Sequence, residues 1–311
     1  MTTTTESGNL DWDAPEIAAL IRAALDEDIG SGDLTAESIV GMETRARARI
    51  VAKQDLVLAG MPLVDRIFRE LDPTIRVDVK LAEGAQVAAG SVVASLEGRA
   101  RAILSAERTA LNFLARLCGI ATLTHRFVEA AEGTRAHIRD TRKTTPLLRR
   151  LEKYAVRTGG GANHRFGLFD AVLIKENHIK IAGSVTEAVR CAFEHAPSHR
   201  RGPREITAYE SARPVGLDME VPIQVEVRTE DELREALDAG ADSLLLDNVS
   251  PAEAKRLIEI VRQTNPNCVV EISGGVNLSN VRAYAEAGPD FISIGALSHS
   301  APAADLSLLV E

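Results

Sequence analysis

An α/β barrel joined to an N-terminal α+β domain of sandwich-like layering is the fold class this sequence predicts. Three observations carry it. From about Ala136 onward, apolar strand-like runs that end in polar residues alternate with helical patterns, the rhythm of βα units. Two of these units echo each other. Ala239-Gly240-Ala241-Asp242 precedes Leu244-Leu245-Leu246-Asp247, and Ala287-Gly288-Pro289-Asp290 precedes Ile292-Ser293-Ile294-Gly295. The residues before about Leu104 lack the rhythm and mix helices with short strands. Repeated βα units build either a doubly wound sheet or a barrel. Polar residues at the C-terminal end of nearly every run favour the barrel, where those ends line one mouth.

In chain order, the first ten residues are Thr-rich and polar and are expected to be mobile. A helix is predicted over Ala14–Asp26, with Ile17, Leu20, Ile21, Ala24 and Leu25 on one face, and Gly30 to Asp33 form a turn. Ala46, Ala48 and Ile50 alternate with Arg45, Arg47 and Arg49, which predicts a half-exposed strand within Thr44–Val57. A helix over Pro62–Leu71 and short strands at Val77–Leu81 and Val92–Leu96 follow. The stripe Leu104, Leu111, Leu114, Leu117 begins a long bridging helix that continues to Ala131. Six strand runs come next: Ala136–Asp140, Ala171–Lys175, Ile223–Val227, Ser243–Asp247, Val269–Ser273 and Phe291–Gly295. The Pro- and Arg-rich stretch from His195 to Pro222 breaks the rhythm and reads as an exposed insertion. The predicted domains are 1–117, 118–300 and a tail, 301–311, that returns to the N-terminal domain.

The 311 residues suffice for about two domains. With 4 % aromatic residues and a net charge of −9, the chain offers no stacking platform and no attractive surface to nucleic acid. No apolar run reaches the ~20 residues of a membrane span. No secretory pattern opens the chain, and Cys118, Cys191 and Cys268 have no metal-ligand spacing. These features predict a cytoplasmic protein with reduced thiols.

Against the acidic total, Arg135–Arg165 holds nine basic residues and two acidic ones, a local charge of +7. That points to a small anionic ligand. Part of the Leu147–Val156 helix, including Arg149, Arg150 and Lys153, reads equally as a solvated face. Arg142 and Lys143 directly follow a strand and so belong at the mouth. Gly159-Gly160-Gly161 leads into Asn163-His164-Arg165, a loop with two further donors, but not a dinucleotide fingerprint. Lys175 ends a strand and is either a mouth residue or a snorkelling chain end. Glu226 and Asp247, at successive strand ends, suit Mg²⁺, sugar hydroxyls or an ion pair with a basic neighbour. Ser273-Gly274-Gly275 and Gly295 to Ser298 are turns after late strands, where barrels commonly bind phosphate.

Several stretches together resemble the quinolinate phosphoribosyltransferase family. They are Glu27 to Thr35, Ser105 to Leu114, Cys118 to Thr122, Asp140-Thr141-Arg142-Lys143-Thr144, Lys153 to Gly161, Leu173 to His178, Leu245 to Asn248 and Ser273 to Val276. The resemblance runs from about Asp26 to Leu308. It implies transfer of phosphoribosyl from phosphoribosyl pyrophosphate to quinolinate with loss of CO₂, giving nicotinate mononucleotide for NAD biosynthesis. It assigns Arg108, Arg142, His164, Arg165 and Lys175 to the quinolinate carboxylates. Lys143, Glu226 and Asp247 serve phosphoribosyl pyrophosphate and Mg²⁺, and Ser273, Gly274, Gly295 and His299 serve phosphate. On this reading Lys143, Lys175, Glu226 and Asp247 are the catalytic set. The resemblance further implies a homodimer, with higher assembly left open, in which the partner's N-terminal domain closes each site. Arg228 departs from the pattern, standing where the family commonly has a second acidic residue. Two rivals are a lyase using Lys175 as a Schiff base and a non-catalytic anion-binding relative. The surplus of arginines and the full cationic set argue against them.

Overall fold

The computed structural model describes residues 10–195 and 223–311. The expectations for the first nine residues and for most of the insertion therefore lie outside the described residues. Leu10, counted above with the mobile end, is buried.

The residues group into two compact units. One comprises Leu10–His125, Arg150–Gly160 and Ala301–Glu311. Helix α1 (Pro15–Ile29) buries Ile17, Ile21 and Leu25, the i, i+4, i+8 stripe of its sequence. Helix α2 (Leu34–Ile39) starts at Asp33, whose carboxylate accepts the Ala36 N–H at 2.9 Å. Strand β1 (Arg45–Ala52) turns Ala48 and Ile50 inward and its arginines outward. It is shorter than the alternating stretch, because the chain turns and Leu56–Val57 (β2) pairs instead with Gln86–Val87 (β4). Helix α3 (Met61–Leu71) buries Met61, Leu63, Val64, Ile67 and Phe68. Its N-terminus is capped across the chain by Glu83, which accepts from the N–H groups of Gly60 (2.7 Å) and Met61 (2.9 Å). Strands β3 (Arg76–Val79) and β5 (Val92–Arg99) complete the sheet with β12 (Leu306–Val310), in the antiparallel order β12-β1-β5-β3. The C-terminal tail is thus an edge strand of the N-terminal unit, Ala48 facing Val310 and Ala52 facing Leu306. Helix α4 (Ala100–Ala130) contains the division between the units, at His125/Arg126. In helix α5 (Arg149–Thr158) the solvated-face reading fails for Lys153, which is buried with Glu152, while Arg149 and Arg150 are partly exposed; Arg116 pairs with Glu152 at 2.7 Å.

The other unit holds Arg126–Arg149 and Gly161–Ser300. All six predicted runs form strands: β6 (His137–Arg139), β7 (Val172–Ile174), β8 (Ile223–Val227), β9 (Ser243–Asp247), β10 (Val269–Ser273) and β11 (Phe291–Ser293). Between them lie α6 (Glu176–Ala182), α7 (Val185–His195), α8 (Glu230–Asp238), α9 (Pro251–Thr264), α10 (Val281–Glu286) and, after β11, α11 (Ala296–His299). All strands are parallel, in the order β6-β11-β10-β9-β8-β7. That order is cyclic and never reverses, whereas a doubly wound sheet reverses at its middle. Side chains show the curvature directly. Strand β10 pairs with β9 and β11, yet Glu271 on β10 touches Arg139 on β6 (3.0 Å) and Gln224 on β8 (2.9 Å). Both partners stand on strands two removed from β10, and all three side chains converge on the same interior face of the sheet. The β6 edge not taken by β11 is extended by one parallel bridge, Arg139 to Ala162.

Candidate active site

The C-terminal ends of the six strands gather the residues singled out by sequence. Lys175 follows β7 and begins α6. Its backbone N–H donates to His178 Nδ1 at 2.9 Å, which fixes where the lysine stem leaves the strand. Lys175 Nζ then reaches the nearly buried carboxylate of Glu226 at 2.8 Å. Glu226 and Gln224 share one face of β8, as alternation requires, and both are buried. Asp247 ends β9. Its Oδ2 accepts from Asn248 Nδ2 (3.1 Å) and from Arg228 Nη2 (3.2 Å). Asn248 holds a left-handed backbone, φ 58°, and its N–H donates to the Ser273 carbonyl at 2.9 Å. This draws the β9 and β10 ends together. Gly274 is required by that approach, since a Cβ there would lie 2.2 Å from Asn248 Oδ1.

A second cluster joins the ends of β6 and β11. A Cβ on Gly295 would lie 3.0 Å from Lys143 Cδ and 3.1 Å from His299 Nε2, so glycine lets both side chains close over it. Ser298 Oγ donates to the Lys143 carbonyl at 2.9 Å. Asp140, buried at the β6 end, accepts from Asn163 Nδ2 (2.8 Å) and the His164 N–H (2.6 Å), which holds the 163–165 segment against the strand. His164 Nδ1 accepts the Arg165 N–H at 2.7 Å, and its Nε2 faces Glu271 at 3.5 Å. Arg165 Nη1 donates to the Ala171 carbonyl at 2.8 Å. Arg142 carries a buried Nε with no hydrogen-bond partner among the described residues. A guanidinium edge desolvated without an acceptor is costly unless a ligand supplies one.

The structure therefore brings Lys175, Glu226 and Asp247 into one cluster through Arg228, sets Ser273 and Gly274 beside Asp247, with Gly275 next in the same turn, and joins Lys143, Gly295 and His299. Arg108 lies exposed on α4, within the N-terminal unit. Sequence reasoning missed Glu271. A single carboxylate inside the apolar run Val269-Val270-Glu271-Ile272 was its signal. It is fully buried, and Arg139, Gln224, Ser293 and His164 surround it. Burial raises its pKa, but the attraction of His164 and Arg139 and the Ser293 and Gln224 hydrogen bonds outweigh burial. They hold it below its ordinary 4.5.

Glu271→Ala is expected to destabilise the protein by about 3 kcal/mol, because the largely covered Arg139 and the buried Gln224 and Ser293 all lose their partner. Because the folded pKa is depressed, the wild-type carboxylate contributes stability above about pH 4.5, and this is lost as pH falls through the folded value. Glu271→Gln should flatten the acid limb of stability. Urea unfolding at pH 7 and below pH 4.5 measures both effects; identical acid limbs for wild type and Glu271→Gln would refute the assignment.

The family model described as the quinolinate phosphoribosyl transferase N-terminal domain matches residues 33–118, and that of the C-terminal domain matches 120–215 and 205–309. The chain is 42 % identical over 282 residues to a probable nicotinate-nucleotide pyrophosphorylase (carboxylating) of Bacillus subtilis, spanning 91 % of this chain and 89 % of that one. It is 35 % identical over 309 residues to a mitochondrial quinolinate phosphoribosyltransferase (decarboxylating) of Nicotiana tabacum, spanning 95 % and 82 %. The solved nicotinate-nucleotide pyrophosphorylase of Francisella tularensis superposes with a TM-score of 0.85 at 35 % identity, over 99 % of this chain and all of that one. With both domain models matched in order and relatives aligned over nine-tenths of its length, this chain belongs to the quinolinate phosphoribosyl transferase family.

Proposed function

We infer that this chain transfers the phosphoribosyl group of phosphoribosyl pyrophosphate to quinolinate with decarboxylation, yielding nicotinate mononucleotide, pyrophosphate and CO₂ in NAD biosynthesis. Beyond the family, the observation that carries this reading is Arg142, whose buried Nε lacks an acceptor beside further cations at a barrel mouth. Arg142 and Arg165 pair with the quinolinate carboxylates and aim the ring nitrogen at C1′. His164, whose ring nitrogens face inward here, acts by fixing that segment. As the nitrogen bonds to C1′, the C1′–O bond breaks and its electron pair leaves with pyrophosphate. Glu226 and Asp247 stabilise the cationic character that develops at C1′. Lys143 and His299, over Gly295, receive phosphate oxygens, as do the Ser273 to Gly275 turn and its backbone. Alkylation makes the ring an electron sink, so the adjacent carboxylate departs as CO₂ and the ring carbon takes up a proton.

Among the described residues no group of three or more His, Cys, Asp or Glu is arranged to hold a metal ion. Glu226 and Asp247 fit a Mg²⁺ that arrives with substrate, one or two carboxylates being what such an ion takes besides phosphate oxygens. Bound there, Mg²⁺ supplies neutralising charge to the leaving pyrophosphate. Lys175 is ion-paired with Glu226, which suits it to charge balance at the mouth.

A homodimer supplies Arg108 from the partner subunit in this reading. In support, Leu34, Ile39 and Met42 are exposed apolar side chains on or just after α2. That helix is tied to α4, which carries Arg108, by Ser105 Oγ donating to Asp33 at 2.9 Å. A cytoplasmic location accords with the free cysteines Cys118 and Cys268, both buried. No helix of the described residues is long and apolar enough to cross a membrane. The test is incubation of the purified chain with quinolinate, phosphoribosyl pyrophosphate and Mg²⁺ while nicotinate mononucleotide is followed. Product formation is expected; its absence, with both substrates bound, would favour a non-catalytic anion-binding protein.

A further inference from the structure

Arg228 follows β8 and lies across the ends of three neighbouring strands. Its Nη1 is 2.6 Å from Glu176 Oε2, just past β7, and its Nη2 is 3.2 Å from Asp247 Oδ2, at the end of β9. The same Nη2 is 3.8 Å from Glu226 Oε1. The guanidinium thus contacts both carboxylates assigned to the sugar and the metal. Lys175 holds the other oxygen of Glu226, and Lys180 pairs with Glu176. Three cations (Lys175, Lys180, Arg228) face three carboxylates (Glu176, Glu226, Asp247), so this side of the mouth is balanced by the chain's own charges.

Balance has a consequence for a divalent cation. A Mg²⁺ approaching Glu226 and Asp247 meets a guanidinium already between them, and the two cannot occupy that space together. The Arg228 side chain is half-exposed, at 49 %, so its ion pairs are screened and cheap to break. Its long stem lets the planar head swing while the backbone stays fixed: the Arg228 N–H donates to Glu232 at 2.8 Å. A displaced guanidinium at a mouth that receives a diphosphate has an anion within reach, and bidentate pairing with phosphate oxygens is what this group does best.

We propose that Arg228 is a resident cation of the phosphoribosyl pyrophosphate subsite, holding Glu226 and Asp247 in the free protein and exchanging them for a diphosphate oxygen when substrate, with or without Mg²⁺, enters. Arg228 is a specificity-determining residue for the diphosphate and takes no part in the bond-breaking step. The consequence is that this chain binds phosphoribosyl pyrophosphate with a weakened requirement for the metal. This rests on the reaction proposed above.

The test is calorimetric binding of phosphoribosyl pyrophosphate to wild type, Arg228→Gln and Arg228→Lys, in EDTA and in saturating Mg²⁺, with quinolinate binding measured separately. In EDTA, Arg228→Gln is expected to lose about tenfold in affinity, the worth of one charge-assisted contact. Arg228→Lys should stay within about threefold of wild type, since the charge is kept though the fork is lost. In saturating Mg²⁺, which itself neutralises the diphosphate so that the Arg228 contact is worth less, the three proteins should converge to within about threefold, and quinolinate affinity should not change. Equal affinity of wild type and Arg228→Gln in EDTA would overturn the proposal. So would an equal loss with and without Mg²⁺, or a parallel loss of quinolinate binding, which would mark a merely structural role. Wild type that binds phosphoribosyl pyrophosphate only with Mg²⁺ also overturns it. Wild type that binds it under neither condition overturns the proposed function instead.

Discussion

Nicotinate is expected to be used about 10⁴-fold less efficiently than quinolinate, the discrimination available to a site whose buried donors are left unpaired by the smaller substrate. Nicotinate keeps one ring carboxylate and lacks the one that leaves. The guanidinium of Arg142 already has a buried Nε without an acceptor, and Arg165 stands on the segment pinned by Asp140. On the reading proposed above, two carboxylates meet these donors, whereas one leaves part of this cationic set without an acceptor. The loss should fall on kcat/KM, because a misaligned ring also misdirects its nitrogen from C1′. Steady-state kinetics with both acids at fixed phosphoribosyl pyrophosphate measures this. Comparable kcat/KM values would show that the arginines do not read a second carboxylate.

Mixing Arg108→Ala with Lys175→Ala should restore about one quarter of wild-type activity from two nearly inactive parents. In a two-fold dimer with Arg108 acting across the interface, a heterodimer has one doubly damaged site and one intact site. Random exchange makes half the dimers mixed, and half their sites work. Arg108 is exposed, so its substitution is mild for folding, and in Lys175→Ala the carboxylate of Glu226 keeps Arg228 at 3.8 Å; circular dichroism of both parents checks that they are folded. Activity is followed after subunit exchange has been demonstrated with differently tagged parents. A mixture as inactive as its parents would place Arg108 in its own subunit's site or outside any site.

Much of this protein was legible in one dimension. The six strand runs, the long helix and the helix at α3 all follow from periodicity, a local property that burial enforces on each segment separately. Lys143, Lys175, Glu226 and Asp247 were identifiable as mouth residues because each follows or ends an apolar run, and strand ends face one way in a barrel. The turn glycines were legible as turns, but why Gly274 cannot be another residue was not. That depends on Asn248, which arrives from the preceding strand.

The sequence by itself determined the class of fold, the strands and helices, and which polar residues stand at the strand ends. Only the tertiary structure decided how those residues are partnered. Glu271 meets Arg139 and Gln224 from strands that are not its neighbours, because long side chains on one face of the sheet converge on its interior. Arg228, a departure with no assigned role in the sequence, spans Glu176, Glu226 and Asp247, because three strand ends converge on one mouth. The C-terminal strand lies against β1 at the other end of the chain. The physical reason is common to all three. Patterning records whether a residue faces core or solvent, while the identity of its partner is fixed by chain closure, which joins segments that no local period relates.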